Sequence, residues 1–393
     1  MQILPQARCI CPACFEEINL GACDIVSGVT TGKVLKKASL LTNLRIEPLD
    51  GPRYNAEQAH RRCPRRECQY SLPYNIERVR SIIVSVVGDV DSGKSHYIAS
   101  LIRQLSYEWG KALSSSNTSG SIELECLTED VERDFMSRYL TPLFGSNKFI
   151  TATPQAVRSN PLAGQPLVDR PLIYKIGIRL PPRYTLNTFN LMIYDTSGED
   201  FRRIERLVQF ARFALNSNAF IFVADPFTMD SVYSELPGRL QAMQPNKRRP
   251  SSQVLNGVVN SFMRQHRIPN PGRLANVPMA VMVSKADIFT KAIKTPYKYS
   301  YYGFASDYYP PYKIGVDLAD IEGINQEVIN LLETYQEGNL LRSARTLKNV
   351  KFFATSATSE PPDGPDHFPS VKPWRCLDPL LWILYQLGVI KSL

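Results

Sequence analysis

From about residue 80 the chain alternates short apolar runs with longer stretches whose apolar residues recur every three or four positions. The short runs, 82–87, 172–180, 189–194, 219–224, 279–283 and 351–354, are rich in β-branched and aromatic residues and predict strands. Helical patterns separate most of them, which predicts an α/β fold with a doubly wound, mostly parallel sheet. Directly after the first run, Ile98, Leu101, Ile102 and Leu105 fall at i, i+3, i+4 and i+7, one buried face of a helix. Near the other end, Leu380, Leu381, Leu384 and Leu387 make a similar stripe, stopped by Gly388. That stripe predicts a core helix lying on the sheet, with a partner-binding helix as the alternative. Three long stretches, about 106–170, 230–275 and 290–316, read as insertions; the third concentrates tyrosines among Pro and Gly.

The pattern before residue 70 is different. Short strand-like pieces and turns, such as "INLGACDIVSG", replace the strand and helix alternation. The expected organisation is therefore a small module over 1–75 and a larger domain over 76–393. Six of the eight cysteines fall before position 70. Cys11 and Cys14 form Cys-x-x-Cys, and Cys63 and Cys68 form Cys-x4-Cys. Two close pairs can form two knuckles around one tetrahedral Zn²⁺, and four thiolates leave no position for a reactive water, so the expected role is structural. His60, Cys9 and Cys23 are substitute ligands, and Cys126 and Cys376 read as isolated core residues.

Composition narrows the class. Apolar residues at 44% with 21% charged are those of an ordinary globular chain. No window approaches the roughly 18 unbroken apolar residues of a membrane helix, and the N-terminus lacks a signal peptide's apolar core. A cytoplasmic protein with no membrane association is expected. The net charge of +9 comes from scattered basic residues, and no basic-aromatic motif calls for nucleic acid as a partner.

The chemistry concentrates at strand ends. "GDVDSGKS" at 88–95 fits G-x-x-x-x-G-K-[ST] through Gly88, Gly93, Lys94 and Ser95, with Asp91, Ser92 and His96 in and beside the loop. The glycines let the loop curl so that backbone N–H groups face phosphates. Lys94 supplies a point charge to the β and γ oxygens, and the Ser95 hydroxyl suits Mg²⁺. "YDTSGED" ends a strand in Asp195, a candidate for the Mg²⁺ shell, with Gly198 placed to give an N–H to the γ-phosphate. "VMVSKADIF" carries Ser284, Lys285 and Asp287. Asp287 can accept from guanine N1–H and the 2-amino group, donors that adenine lacks, while the Lys285 stem can lie over the purine. Ser356 and Ala357 in "TSA" are placed to offer a backbone N–H to the guanine carbonyl.

The order of these four motifs resembles that of P-loop GTPases of the translation-factor and signalling superclass, over about 78–393. More narrowly, "GKSHYIASLI", "YDTSGEDF", "FIFVADP", "AVMVSKADIF" and "LDPLLWILYQLGVI" resemble the bacterial double-GTPase family. The resemblance implies a P-loop NTPase fold, GTP and GDP as ligands, action with partner proteins in conflict or defence systems, and in some members an N-terminal zinc ribbon. It also implies a switch threonine, expected at Thr153, with Thr151 next.

The chain departs from the pattern in places. Ser284 stands where Asn or Thr is usual, which predicts a weaker loop brace. Glu199 follows the switch glycine where many signalling GTPases carry Gln; it can accept from the attacking water but adds negative charge beside the phosphoryl group, which predicts slow hydrolysis. Arg202 and Arg203 read as surface residues rather than an arginine finger, and Asp91 stands where a monovalent cation can assist hydrolysis. The expected activity is a slow GTPase switch whose segments near 145–155 and 195–205 are read by a protein partner. Two alternatives stand beside it: a nucleotide-binding scaffold that hardly hydrolyses, and a translation-associated, RNA-binding GTPase.

Overall fold

The computed structural model describes residues 8–27, 33–38, 49, 59–109, 121–150, 171–179, 186–195, 216–243, 249–268, 277–305, 307–310 and 315–393. Five short strands come first: β1 (Arg8–Ile10), β2 (Glu17–Asn19), β3 (Asp24–Ser27), β4 (Val34–Lys36) and β5 (Ala59–Arg62). β1 and β2 form an antiparallel pair, and β4-β3-β5 a three-stranded antiparallel sheet.

Among the described residues the larger sheet has seven strands: β6 (Arg80–Gly88), β7 (Ser121–Cys126), β8 (Leu172–Arg179), β9 (Leu186–Asp195), β10 (Ala219–Ala224), β11 (Met279–Val283) and β12 (Val350–Ala354). Their order across the sheet is β12-β11-β10-β6-β9-β8-β7. The five strands from β12 to β9 run parallel, while β8 and β7 extend the sheet antiparallel. The sheet is therefore mixed and mostly parallel. β7 was not expected: "SIELEC" lies inside the stretch read as an insertion, and its alternation of Ile122 and Leu124 with exposed Glu123 and Glu125 is that of an edge strand with one face on the core.

The central strands are apolar throughout because both faces are covered. Ile83, Val87, Phe220, Phe222, Val281 and Val283 face one core layer, and Ile82, Val84, Val86, Ile221 and Met282 the other. Helix α1 (Lys94–Arg103) and helix α5 (Asp378–Gln386) cover the second layer. Helices α2 (Ser251–Gln265), α3 (Leu318–Thr334) and α4 (Gly338–Arg345) cover the first. The C-terminal leucine stripe thus lies on the sheet.

Cys11, Ile18, Leu20 and Cys63 of the N-terminal segment join the first layer. A buried ion pair helps hold that segment: Arg61 Nε meets Glu77 Oε2 at 2.8 Å, and Leu49 N–H donates to Glu77 Oε1 at 2.9 Å. Among the described residues no helix is long and apolar enough to cross a membrane. The chain passes from β6 through α1 to the β7–β9 side of the sheet and from β9 to β10 on the other side, so the carboxyl end of β6 is the switch point where ligands settle in such sheets.

Candidate functional site

Gly88 ends β6, and the chain turns into α1 through two left-handed residues, Asp91 at φ 56° and Gly93 at φ 91°. A Cβ on Gly88 would stand 2.8 Å from both Ser92 Oγ and the Val223 carbonyl oxygen, so the turn requires glycine there. Lys94 is 6% exposed, and its ammonium donates to the carbonyls of Gly88 (3.2 Å) and Asp89 (2.6 Å) inside the curl. Helix α3 has its first N–H groups capped by Asp317, but α1 starts at Gly93 with no side-chain cap. Its first turn, with Ser95, therefore presents backbone donors at the switch point.

The turn after β11 is fastened to this loop. Ser284 Oγ lies 2.8 Å from the Ser92 carbonyl and 3.2 Å from that of Ala224, so the short hydroxyl does reach the loop brace. Lys285, left-handed at φ 51°, donates to the Asp91 carbonyl at 2.9 Å and to Asp225 Oδ1 at 3.0 Å. Asp287 is buried; Ser356 Oγ donates to its Oδ1 at 2.6 Å while accepting from Ser359 N–H at 2.7 Å. Burial pushes the Asp287 carboxyl up, against the lowering effect of that hydrogen bond. The carboxylate lines a small recess with Ser356, Thr290, Phe304 and Trp374. Arg375, fully buried against Asp320, Asp378 and the Gly303 carbonyl, holds Phe304 and Trp374 at that recess. Ser100 of α1 donates to the Ala357 carbonyl at 3.0 Å, which ties the last motif to the first helix.

Gly88, Asp91, Ser92, Gly93, Lys94, Ser95, Ser284, Lys285, Asp287, Ser356 and Ala357 thus meet along the carboxyl edge of the sheet. Asp195 ends β9 opposite Val86, one strand from the loop. Thr151, Thr153, Gly198, Glu199, Arg202 and Arg203 lie outside the described residues. The imidazole of His96 is engaged elsewhere: Nε2 accepts from Ile150 N–H at 3.2 Å, and the ring packs edge-on to Phe149 and Phe368. Burial, with the Lys285 charge added, lowers its pKa to about 4, which keeps it neutral as an acceptor must be. Asp225 and Arg249 were missed. Arg249, just before α2, approaches Asp89 Oδ1 at 3.4 Å, and Asp225 reaches Lys285 because β10 lies between β6 and β11.

The cysteines form a second centre. The Sγ atoms of Cys11, Cys14, Cys63 and Cys68 all lie within 4.8 Å of one another, with Cys11 to Cys68 and Cys14 to Cys63 each at 3.8 Å. Four sulfurs about 2.3 Å from a tetrahedral zinc stand about 3.8 Å apart, so the set fits that ion. Each pair sits in a tight knuckle: Phe15 N–H donates to the Cys11 carbonyl, and Cys68 N–H to that of Arg65. Hydrogen bonds among the four thiols hold Cys14 well below the ordinary thiol value and Cys11 well above it. Cys9 and Cys23 are pushed up to about 12, chiefly by burial, and remain thiols. His60 Nδ1 is engaged with the Leu72 carbonyl.

The first knuckle packs on the end of β9. Tyr194 Oη donates to the Pro12 carbonyl at 2.8 Å, and its ring meets Phe15 with centroids 5.3 Å apart. Asn216 adds a hydrogen bond to the Phe15 carbonyl at 3.3 Å. The contact ends one residue before Asp195.

No family model matches the chain. It is similar to a protein of Mycolicibacterium smegmatis named "Putative ESX-1 scaffolding and assembly protein SaeC", 24% identical over 97% of this chain and 99% of the relative. Among solved structures it is similar to the GTPase-like domain of Ski7 from S. cerevisiae, solved bound to GTP, at 14% identity and a TM-score of 0.30. That match covers 80% of this chain and 52% of the Ski7 chain.

Proposed function

We propose that the chain is a GTP-binding protein with slow hydrolysis, a P-loop GTPase that switches a protein partner. The observation that carries this reading is the fastening of two loops: Ser284 and Lys285 tie the turn bearing Asp287 to the phosphate loop at Ser92 and Asp91. A ligand with phosphates at one loop and a purine at the other would span them. The buried Asp287 acceptor favours guanine, since adenine would leave it without donors. Lys94 would turn from its carbonyls to the phosphates. Ser95, Asp195 and Thr153 would hold Mg²⁺, which supplies charge neutralisation at the β and γ oxygens. Gly198 would donate to the γ-phosphate, and Glu199 would accept from the attacking water.

The segment 1–75 is read as a module around a structural zinc on Cys11, Cys14, Cys63 and Cys68, and 76–393 as the nucleotide domain. The double-GTPase resemblance adds a role in conflict or defence, on its sequence motifs alone. A second reading, a nucleotide-bound scaffold with negligible turnover, is favoured by the relative's name, which speaks of scaffolding and assembly.

Single-turnover hydrolysis separates the two. The switch reading expects GTP cleavage on the order of 10⁻³ per second alone, accelerated by a partner. Bound GTP that stays intact over hours, alone and with partners, would leave the scaffold. Turnover at tens per second by the isolated chain would contradict both.

A further inference from the structure

We propose that Asp225 is a positioning residue for base recognition, acting through Lys285 and not through the ligand itself. The proposal rests on the reading of Asp287 and Lys285 as the purine site. "FIFVADP" ends β10, the strand between β6 and β11, so its last acidic residue stands between the phosphate loop and the base turn. Asp225 is 1% exposed. A carboxylate this deep is costly unless its lone pairs are met. Among the described residues, two donors meet its Oδ1: Phe227 N–H at 3.1 Å and the Lys285 ammonium at 3.0 Å.

Lysine is the partner that matters for binding. Its backbone sits in the left-handed region at φ 51°, which a β-carbon disfavours and which persists only where surroundings hold it. The ammonium has three N–H groups. It donates to the Asp91 carbonyl and to Asp225, and it lies over the Phe227 ring at 4.5 Å from the centroid. Asp225 provides the carboxylate, and, as the cap of the turn Pro226–Thr228, it also sets the backbone that carries Phe227. With its ammonium held on these sides the stem cannot swing, and the stem is the part that would lie over a purine. Asp225 thus pre-sets a surface that free lysine would have to order on binding.

A double-mutant cycle tests this on the full chain, with GDP, GTP and ATP affinities by calorimetry and the melting temperature of each ligand-free protein. Asp225→Asn keeps an oxygen for Phe227 N–H and removes the charge. It is expected to weaken GDP and GTP about tenfold alike, with the preference over ATP unchanged because Asp287 sets it. In Lys285→Met the same change should cost nothing further. Asp225→Ser serves the same comparison if the asparagine variant does not fold. Wild-type affinity in Asp225→Asn would overturn the proposal. So would a loss that adds in full to that of Lys285→Met, which marks a purely structural carboxylate. Wild type that binds no nucleotide refutes the purine site itself, a different failure.

Discussion

The loop from Gly88 to Ser95 and the cysteine cluster both bring polar atoms close together at tight turns, but different forces hold them. The phosphate loop is closed by the chain's own donors: Lys94 satisfies two carbonyls, and Ser284 and Lys285 fasten it to the next turn. The cysteine knuckles meet at four sulfurs and their shared protons, with the exposed ion pair Arg65–Glu16 at 3.2 Å beside them. A cradle braced from within keeps its shape before its ligand arrives. A cluster of thiols takes its strength from the ion that replaces the protons.

The sharpest way to break this contrast is to remove each ligand. The cluster side should show the largest effect in the molecule. Cys11→Ser, or a strong chelator, is expected to reduce bound zinc from about one per chain to near none and to unfold the knuckles, since apparent zinc energies in small thiolate sites reach about 10 kcal/mol. Metal analysis with thermal melting reads this. A full melting temperature after complete zinc loss would show the cluster to be as self-supporting as the loop. Stripping nucleotide, by contrast, should shift melting only by the ligand's mass-action term.

Acid sharpens the contrast by two routes. Protons compete with metal for the thiolates, so lowering the pH releases zinc. His96 acts on the other side, where it ties α1 to Ile150. Its folded pKa, about 4, lies below the unfolded value, so the unfolded chain binds more protons between them. Stability is full above about pH 6.5 and falls as pH drops to about 4, by up to about 3 kcal/mol from this group. His96→Asn should flatten that part of the curve in denaturation at a series of pH values. An unchanged slope would mean that the ring gains its proton without cost.

The smallest expected effect lies where the regions touch. Tyr194→Phe removes the hydrogen bond to Pro12 and keeps the ring contact with Phe15. A cost of about 1 kcal/mol is expected, together with faster zinc loss to a chelator. Unaltered zinc release would show that the knuckle does not lean on β9.

The central strands were legible because burial on both faces leaves continuous apolar runs, as in "SIIVSVV" and "AFIFVA". The phosphate loop was legible because its curl needs glycine at 88, where a Cβ would meet Ser92 of the loop itself, and at 93, where φ is 91°. "SIELEC" was not, since a half-exposed edge strand carries few apolar residues and here sits in a long insertion. Asp225 could not be read from its neighbours: its partner is 60 positions away and meets it only because β10 lies beside β11. His96 reads as a loop residue by adjacency, yet on a helix one step turns a side chain by about 100°, which here takes it toward Phe149 and Phe368.

The most direct test of the account is calorimetric titration of GTP and ATP into the wild-type chain and into Asp287→Ala. The account predicts that wild type binds GTP at least about a hundredfold more tightly than ATP and that the variant loses this preference. Tight ATP binding by wild type, or an undiminished GTP preference in the variant, would contradict it.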